Sequence, residues 1–239
     1  MKWITRDRVT VDRVACPRLR RFLFLLSALA ATVLGVSTSR VIDFDHEPVG
    51  SLPSEWEPAL TKSGAAPRWA ILRDETAPSK PNVFAQLSTD RTAGRFPMAI
   101  MRDVTIRDGE VSVRFKPVAG EVDQAAGLVW RYTDHNNYYI VRANALENNV
   151  VLYKVENGER TSLAPRGLPS RSYGVKHMVP RMVWSELKVS FVDTLATVSF
   201  NNERLFDVTD GTFRNPGRIG LWTKADSVTW FDNFTFSGR

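Results

Sequence analysis

The chain has 239 residues, of which 24% are charged, and a formal net charge of +6. The residues up to Ser39 include seven Lys or Arg and two Asp, a net of +5, which leaves only +1 for Arg40 to Arg239. A nearly neutral domain gives no electrostatic reason to bind nucleic acid or an anionic bilayer, so neither is expected as a partner. About 200 residues are enough to bury one core, and a single domain over 40–239 is predicted.

The N-terminus has the order of an export signal. Six arginines precede the largely apolar run Phe22 to Val36, and the small residues Ser37, Thr38 and Ser39 follow it. A membrane-spanning helix needs about 20 apolar residues, which is longer than this run, although an uncleaved N-terminal anchor stays an alternative. Residues 1–39 are therefore predicted to be a signal peptide, and the protein is expected to be periplasmic or secreted.

The chain has one cysteine, Cys16, which lies before the apolar run and would leave with a cleaved signal. The mature domain would then have no disulfide, no thiol nucleophile and no thiolate metal ligand. Its stability is expected to come from burial alone.

The first part of the domain combines loops with short strands. The predicted strands here are Val41 to Phe44, Trp69 to Arg73, Val83 to Leu87, Met98 to Val104 and Glu110 to Lys116. In the last of these, Val111, Val113 and Phe115 alternate with polar residues, which indicates one buried and one wet face.

The most regular pattern runs from Ala126 to Gly158 and predicts a three-stranded antiparallel meander. Its strands are rich in β-branched and aromatic residues, and Asn and Asp supply the turns between them. Further strands are predicted in the second half, at Val183 to Val192, Leu195 to Phe200, Arg204 to Val208, Arg218 to Thr223 and Val228 to Phe236. About a dozen short strands without helical periodicity predict an all-β fold, a two-sheet antiparallel jelly-roll sandwich.

No catalytic motif is complete. His46, His135 and His177 lie in three separate predicted loops and form no metal-binding motif. Glu121 and Asp123 supply the first two acids of the Glu-x-Asp-x-(x)-Glu motif of laminarinase-type jelly rolls, but the third acid, which would be the acid-base catalyst, is missing. These two are therefore expected in a solvated loop, and the catalytic residues are unknown.

Calcium is one candidate ligand of the domain. The terminal strands carry Asp43, Asp45 and Asp232, and pairing of these strands would bring three carboxylates to one rim. Calcium binds such oxygen ligands, so a structural calcium site is predicted there. The alternative is that these acids cap turns or face water, and no other cofactor is expected.

The meander also suggests a ligand surface. By alternation, Leu128, Trp130 and Tyr132 would face one side of their strand and Arg131 the other, with Tyr139, Arg142 and Asn144 as cross-strand neighbours. Aromatic rings beside planar hydrogen-bonding groups are typical of sugar sites, and Trp222 and Lys224 have the same character. We predict a carbohydrate-binding face made of Arg131, Tyr139, Arg142, Asn144, Trp222 and Lys224. The alternative is that these are ordinary cross-strand pairs.

The meander together with Gly220 to Ser227 and Phe231 to Phe234 resembles exported bacterial proteins of the concanavalin A-like lectin/glucanase superfamily, in particular the branch around the 3-keto-disaccharide hydrolase domain. The resemblance implies a jelly roll whose concave face binds carbohydrate. The opening departs from that branch, because Phe44-Asp45-His46-Glu47-Pro48 stands where Phe-Asn-Gly-Lys is usual, so no catalytic residue is carried over.

Three functions are open at this point. The first is an exported, noncatalytic β-sandwich that recognises a carbohydrate or a glycosylated surface. The second is a hydrolase that cleaves a glycoside or 3-keto-glycoside with carboxylates from distant strands. The third is a structural or protein-interaction module, which would show an exposed apolar patch and no pocket.

Overall fold

The computed structural model describes Met1, Trp3 and residues 39–239. The predicted export signal, with the run Phe22 to Val36 and Cys16, lies outside the described residues. Every regular element of the described part is a β-strand. In that same part of the chain, no helix of sufficient length and apolar character to span a membrane is found.

The strands of the first half are β1 (Arg40–Ile42), β2 (Trp56–Thr61), β3 (Trp69–Arg73), β4 (Asn82–Gln86), β5 (Phe96–Ile106), β6 (Gly109–Ala119), β7 (Ala125–Asp134) and β8 (Asn137–Asn144). Those of the second half are β9 (Asn149–Glu156), β10 (Glu159–Leu163), β11 (Val175–Lys176), β12 (Ser185–Val192), β13 (Leu195–Phe200), β14 (Glu203–Thr209), β15 (Gly217–Trp222) and β16 (Val228–Gly238).

These strands form two sheets of eight strands each. The back sheet has the order β14-β13-β12-β6-β16-β4-β3, with β1 added to β16. The front sheet has the order β10-β9-β8-β7-β15-β5-β2, with β11 added to β9. All pairings are antiparallel, which confirms the predicted two-sheet antiparallel jelly-roll sandwich.

The main core lies between the two sheets. Val111, Val113 and Phe115 of β6 are buried in it, as their alternation predicts. Within it the rings of Trp130 and Phe191 stack with their centroids 5.8 Å apart and their planes 20° apart. The core therefore joins a strand of the front sheet to one of the back sheet by aromatic contact.

The meander is present as β7, β8 and β9, but one of its strands is interrupted. The register of β7 shifts between Trp130 and Asp134, and Arg131 has a positive φ of 48°. This bulge moves Tyr132 to the face opposite Trp130, so the expected alternation Leu128, Trp130, Tyr132 is wrong at its last member. Gly217 makes the bulge feasible, because a Cβ there would lie 2.4 Å from the carbonyl carbon of Arg131.

Both faces of the front sheet are apolar. The outer face, which points away from the back sheet, carries a second cluster of buried side chains: Phe96, Met98, Ile100, Ala125, Val129, Tyr132, Tyr138, Ile140, Val151, Tyr153, Val155 and Trp222. Strands that are apolar on both faces are usual where a sheet is covered on both sides. The burial of these outer side chains is therefore not due to packing between the two sheets.

Candidate functional site

The front sheet curls so that its outer face is concave. Strands β10 and β2 are the two ends of a seven-strand order, and six spacings of about 4.8 Å would keep them about 29 Å apart in a flat sheet. Instead, Lys62, which follows β2, forms an ion pair with Glu159 of β10 at 2.9 Å. The Thr61 hydroxyl lies 2.7 Å from the Tyr138 hydroxyl, and it also donates to the His135 carbonyl. The curl thus brings together side chains from strands far apart in the sheet.

Within this concave face lies a group that we name the arginine–aromatic cluster: Arg142, Tyr153, Arg160, Tyr173 and Trp222. The guanidinium of Arg142 is 5.7 Å from the centre of the Tyr153 ring, and that of Arg160 is 4.4 Å from it. Arg160 is also 5.8 Å from the Trp222 ring. Charged guanidinium groups at such distances are attracted by the faces of aromatic rings.

Arg142 is held in place by polar contacts on one side. It donates to Asn149 Oδ1 at 3.0 Å, to Glu147 Oε2 at 2.7 Å and to the Tyr173 hydroxyl at 2.9 Å. Burial alone would raise the pKa of the Glu147 carboxyl, but the hydrogen bond and charge of Arg142 outweigh burial and lower it. Glu147 is therefore a carboxylate that fixes Arg142, and Tyr173 is the half-exposed member of the cluster.

Two donors of the cluster have no acceptor. Arg142 Nε and Arg160 Nη1 are buried atoms without a hydrogen-bond partner among the described residues. A buried N–H group normally has a partner, since leaving it unpaired costs about 1–3 kcal/mol. Arg142 is fully buried, whereas Arg160 is partly exposed, so Arg160 is the one of the two that solvent reaches.

Asn144 and Lys224 lie beside the cluster and share one partner. Asp123 accepts a hydrogen bond from Asn144 Nδ2 at 2.6 Å and from Lys224 Nζ at 2.5 Å. Asn144 Oδ1 in turn accepts the backbone N–H of Glu147 at 3.1 Å, which helps to place the carboxylate that holds Arg142. The structure therefore brings Arg142, Asn144 and Lys224 together, with Trp222 facing Arg160 on the same face.

The other two predicted sugar-binding residues lie elsewhere. Tyr139 faces the main core, where its ring stacks on Trp130 at 5.3 Å and its hydroxyl donates to Asp210. Arg131 is buried, because the bulge turns its guanidinium toward the carbonyl oxygens of Arg107 and Phe213. Neither side chain takes part in the concave face, and both stabilise the end of the sandwich instead.

The three acids of the predicted calcium site are partly dispersed. Asp43 Oδ1 accepts the N–H of Asp45 at 3.2 Å, and Asp45 Oδ1 accepts the N–H of Asn82 at 3.0 Å. Within residues 39–239, no group of three or more His, Cys, Asp or Glu side chains is placed to hold a metal ion. The expected three-carboxylate cluster is therefore not formed by the described side chains.

Asp232 is the unusual member of these acids. It is fully buried, and it accepts hydrogen bonds from Ser79 N at 2.7 Å and from Ser79 Oγ at 2.9 Å. Burial raises the pKa of this carboxyl to about 6, and the charge of Asp45 contributes to the rise. Asp232 is thus a buried carboxyl whose proton affinity is increased by the fold.

The segment with Glu121 and Asp123 is an anchored turn. Asp226 accepts the backbone N–H groups of Glu121, Val122 and Asp123, at distances between 2.8 and 3.1 Å. Burial would raise the pKa of Asp226, but these N–H donors outweigh it and lower the pKa. Glu121 is exposed, as expected for a solvated loop, whereas Asp123 is buried and paired with Lys224.

Three residues of the site were missed from the sequence: Tyr153, Arg160 and Tyr173. The alternation of β9 places Tyr153 on the same face as Arg142, so pairing β9 with β8 would have identified it. Arg160 pairs with Val155 of β9 and is thus a diagonal neighbour of Tyr153, but it reaches the Trp222 ring only because the sheet curls. Tyr173 joins the cluster because the loop after β10 folds back, and no local pattern carries the curl or this fold of the loop.

Comparisons with known proteins agree with the fold. No protein-family model matches the chain, and no curated protein matches it. Carbohydrate-binding module CBM66 from Bacillus subtilis shares 17% identity at a TM-score of 0.60, over 80% of this chain and all of that one. The cellulose-induced protein Cip1 shares 12% identity at a TM-score of 0.58, over 84% of this chain and 97% of that one.

A third similar structure is domain 4 of AbnA, an extracellular arabinanase from Geobacillus stearothermophilus, in complex with arabinotriose. It shares 13% identity at a TM-score of 0.50, over 84% of this chain and 93% of that one. At such identities the likeness shows a shared β-sandwich fold.

Proposed function

We propose that this protein is an exported, noncatalytic β-sandwich that recognises carbohydrate through the concave outer face of its front sheet. The arginine–aromatic cluster carries the proposal, because it combines aromatic rings with unpaired guanidinium donors. Sugars are bound by stacking of their apolar faces on rings and by hydrogen bonds from planar polar groups to their hydroxyl oxygens. The proposed site includes the predicted residues Arg142, Asn144, Trp222 and Lys224, together with Tyr153, Arg160 and Tyr173. Arg142, Asn144, Trp222 and Tyr153 are buried and support the site, whereas Arg160, Tyr173 and Lys224 reach solvent.

The fold comparison supports the proposal. One similar structure is named a carbohydrate-binding module, and another was solved with arabinotriose. A shared fold does not carry a function by itself, so the argument rests on the residues of the concave face. The export part rests on the N-terminal sequence pattern, which lies outside the described residues.

The state of the carboxylates favours recognition over cleavage of a glycosidic bond. A glycosidase needs one carboxyl group with a raised pKa as its general acid and a second carboxylate nearby. Near the cluster, Glu147 is held by Arg142 with a lowered pKa, and Asp123 is paired with Lys224. Both acids therefore fix cations, a role that suits a binding site.

Tyr173 offers the sharpest test, since 48% of this residue is exposed and its replacement should leave the core intact. Its matched control is Leu168, an apolar residue of the same loop that is 50% exposed. Titration calorimetry with neutral arabino- and gluco-oligosaccharides and with acidic oligosaccharides would measure binding. Tyr173→Ala should weaken the best ligand about 10-fold, which corresponds to about 1.4 kcal/mol.

Leu168→Ala should bind as the natural chain does. Equal affinities of all three proteins would contradict the proposed site, and the release of reducing sugar during the titration would contradict a noncatalytic role.

A further inference from the structure

Arg160 has an unusual environment for a charged residue. Its guanidinium lies 4.7 Å from the centre of the Phe96 ring, 4.4 Å from that of Tyr153 and 5.8 Å from that of Trp222. Its Nη1 is buried and has no hydrogen-bond partner among the described residues. Tyr153 belongs to β9, which pairs with the strand of Arg160, whereas Phe96 and Trp222 belong to the paired strands β5 and β15 near the other end of the sheet. The curl of the front sheet brings these two parts of the frame together.

The charges of the concave face do not balance at Arg160. Arg142 is paired with Glu147, and Lys224 is paired with Asp123. Among residues 39–239, no Asp or Glu oxygen lies within 4.0 Å of a nitrogen of Arg160. The face therefore carries one cation more than its own carboxylates compensate.

A cation removed from water is unfavourable unless it is paired and hydrogen-bonded. The aromatic rings offset part of this cost, but they provide no acceptor for Nη1. A guanidinium is planar and presents two parallel N–H groups, so a carboxylate fits it better than a neutral hydroxyl oxygen does. The missing partner of Arg160 is thus best supplied by a planar anion.

We propose that Arg160 is an anion subsite that binds the carboxylate of a sugar acid, so that the domain prefers acidic over neutral glycans. This inference rests on the proposed function and specifies the chemical class of the ligand. The rings of Phe96, Tyr153 and Trp222 form the apolar frame, and the carboxylate completes the ion pair that Arg160 lacks.

The position of Arg160 leaves a route for such a ligand. β10 is the edge strand of the front sheet, and Arg160 is partly exposed. The neighbouring Lys62–Glu159 ion pair lies at the surface, with 79% of the Glu159 side chain exposed. A glycan can therefore approach from the sheet edge without disrupting strand pairing, and Glu159 places a negative charge beside its path.

The experiment compares three trisaccharides by titration calorimetry with the full domain: trigalacturonic acid, its methyl ester and a neutral galactose trisaccharide. The ester retains the shape of the acid but lacks the charge. The natural chain should bind the acid at least about 30-fold more tightly than the ester, as expected for a desolvated charge pair, and this preference should fall as salt is added.

Arg160→Gln should abolish the preference, whereas Arg160→Lys should retain part of it because the charge remains. An Arg160→Gln protein that folds and still prefers the acid would overturn the inference.

Glu159→Gln is a second variant that tests the anion subsite even if the Arg160 variants fail to fold. Removal of this exposed negative charge should strengthen binding of the acid about two- to threefold and leave the ester unchanged, since exposed charges contribute about 0.2–1 kcal/mol. Glu203→Gln, an exposed acid on the far edge of the back sheet, is the matched control and should change neither affinity. Unchanged or weaker binding of the acid by Glu159→Gln would refute the anion subsite.

The two proposals fail in different ways. In one outcome, neutral glycans bind, Tyr173→Ala weakens that binding, and the acid binds no more tightly than its ester. That outcome would overturn the anion subsite and leave carbohydrate recognition supported. Absence of binding to all three trisaccharides and to the neutral oligosaccharides would overturn both.

Discussion

Replacement of Asp232 by Asn should make the protein progressively more stable than the natural chain as the pH rises from 3 to 7. Asp232 is fully buried, and burial raises its pKa from 3.8 to about 6, with a further contribution from the charge of Asp45. Asn cannot ionise, yet its side-chain oxygen can still accept the N–H of Ser79. The substitution therefore removes the ionisation and retains one of the main contacts.

The sign follows from proton linkage. A carboxyl whose pKa is higher in the folded than in the unfolded state binds its proton more tightly when folded, so stability is lost as the pH rises through the interval between the two values. For Asp232 this interval is 3.8 to about 6, and the shift of about two units corresponds to about 3 kcal/mol. For a domain of this size, that equals a change of about 6–12 °C in the difference between the two Tm values.

Thermal unfolding followed by circular dichroism at pH 3, 5 and 7 measures this difference. The loss of a hydrogen bond in Asp232→Asn would lower the stability equally at every pH. The test is therefore how the Tm difference between the two proteins changes with pH, and not the Tm at any one pH.

Asp207→Asn is the control of opposite sign. Burial would raise the Asp207 pKa, but the hydrogen bonds from Arg204 and Thr197 outweigh burial and lower it, so this variant should lose relative stability as the pH rises from 3. A flat difference for Asp232→Asn, or slopes of the same sign for both variants, would refute the reasoning.

Two further substitutions test the anchored turn at residues 121–123 and the bulge at Arg131. Asp226→Ala leaves the backbone N–H groups of residues 121–123 without their acceptor, so urea unfolding should show a loss of at least about 2 kcal/mol, and a loss below 0.5 kcal/mol would contradict this role. Gly217→Ala places a Cβ 2.4 Å from the Arg131 carbonyl carbon and should lower the free energy of unfolding by about 1–3 kcal/mol in the same assay. Its control is Gly94→Ala, where the nearest contact of the new Cβ is the flexible Lys62 side chain at 3.6 Å and the loss should be smaller. Equal losses for the two variants would contradict the clash.

Alternation predicted the strands well where each strand stays regular. Val111, Val113 and Phe115 are buried as expected, and the three strands of the meander run from Ala125 to Glu156, close to the predicted stretch Ala126 to Gly158. The failure at Arg131 has a physical cause that its own strand does not contain. The bulge depends on the absence of a side chain at Gly217, which belongs to a strand much later in the chain.

The candidate site shows the same limit. Arg142 and Asn144 lie two residues apart on β8 and share one face, as the alternation of a strand requires, with Lys224 close to Asn144 through Asp123. Arg160 was missed because it lies at the opposite end of the sheet from Phe96 in strand order, and only the curl brings the two together. Sequence patterns define the faces of a strand, whereas the curvature of a sheet depends on the sum of its contacts.

The apolar character of both faces explains where selectivity must originate. Val129, Ile140 and Val151 fill the concave face as fully as Leu128, Val141 and Leu152 fill the main core. These aliphatic side chains are fully buried, so they offer a ligand neither contact area nor directional bonds. Discrimination therefore depends on the few polar groups embedded among them. Of these, Arg142 and Lys224 already have carboxylate partners, whereas Arg160 does not, so Arg160 should determine which ligand is preferred.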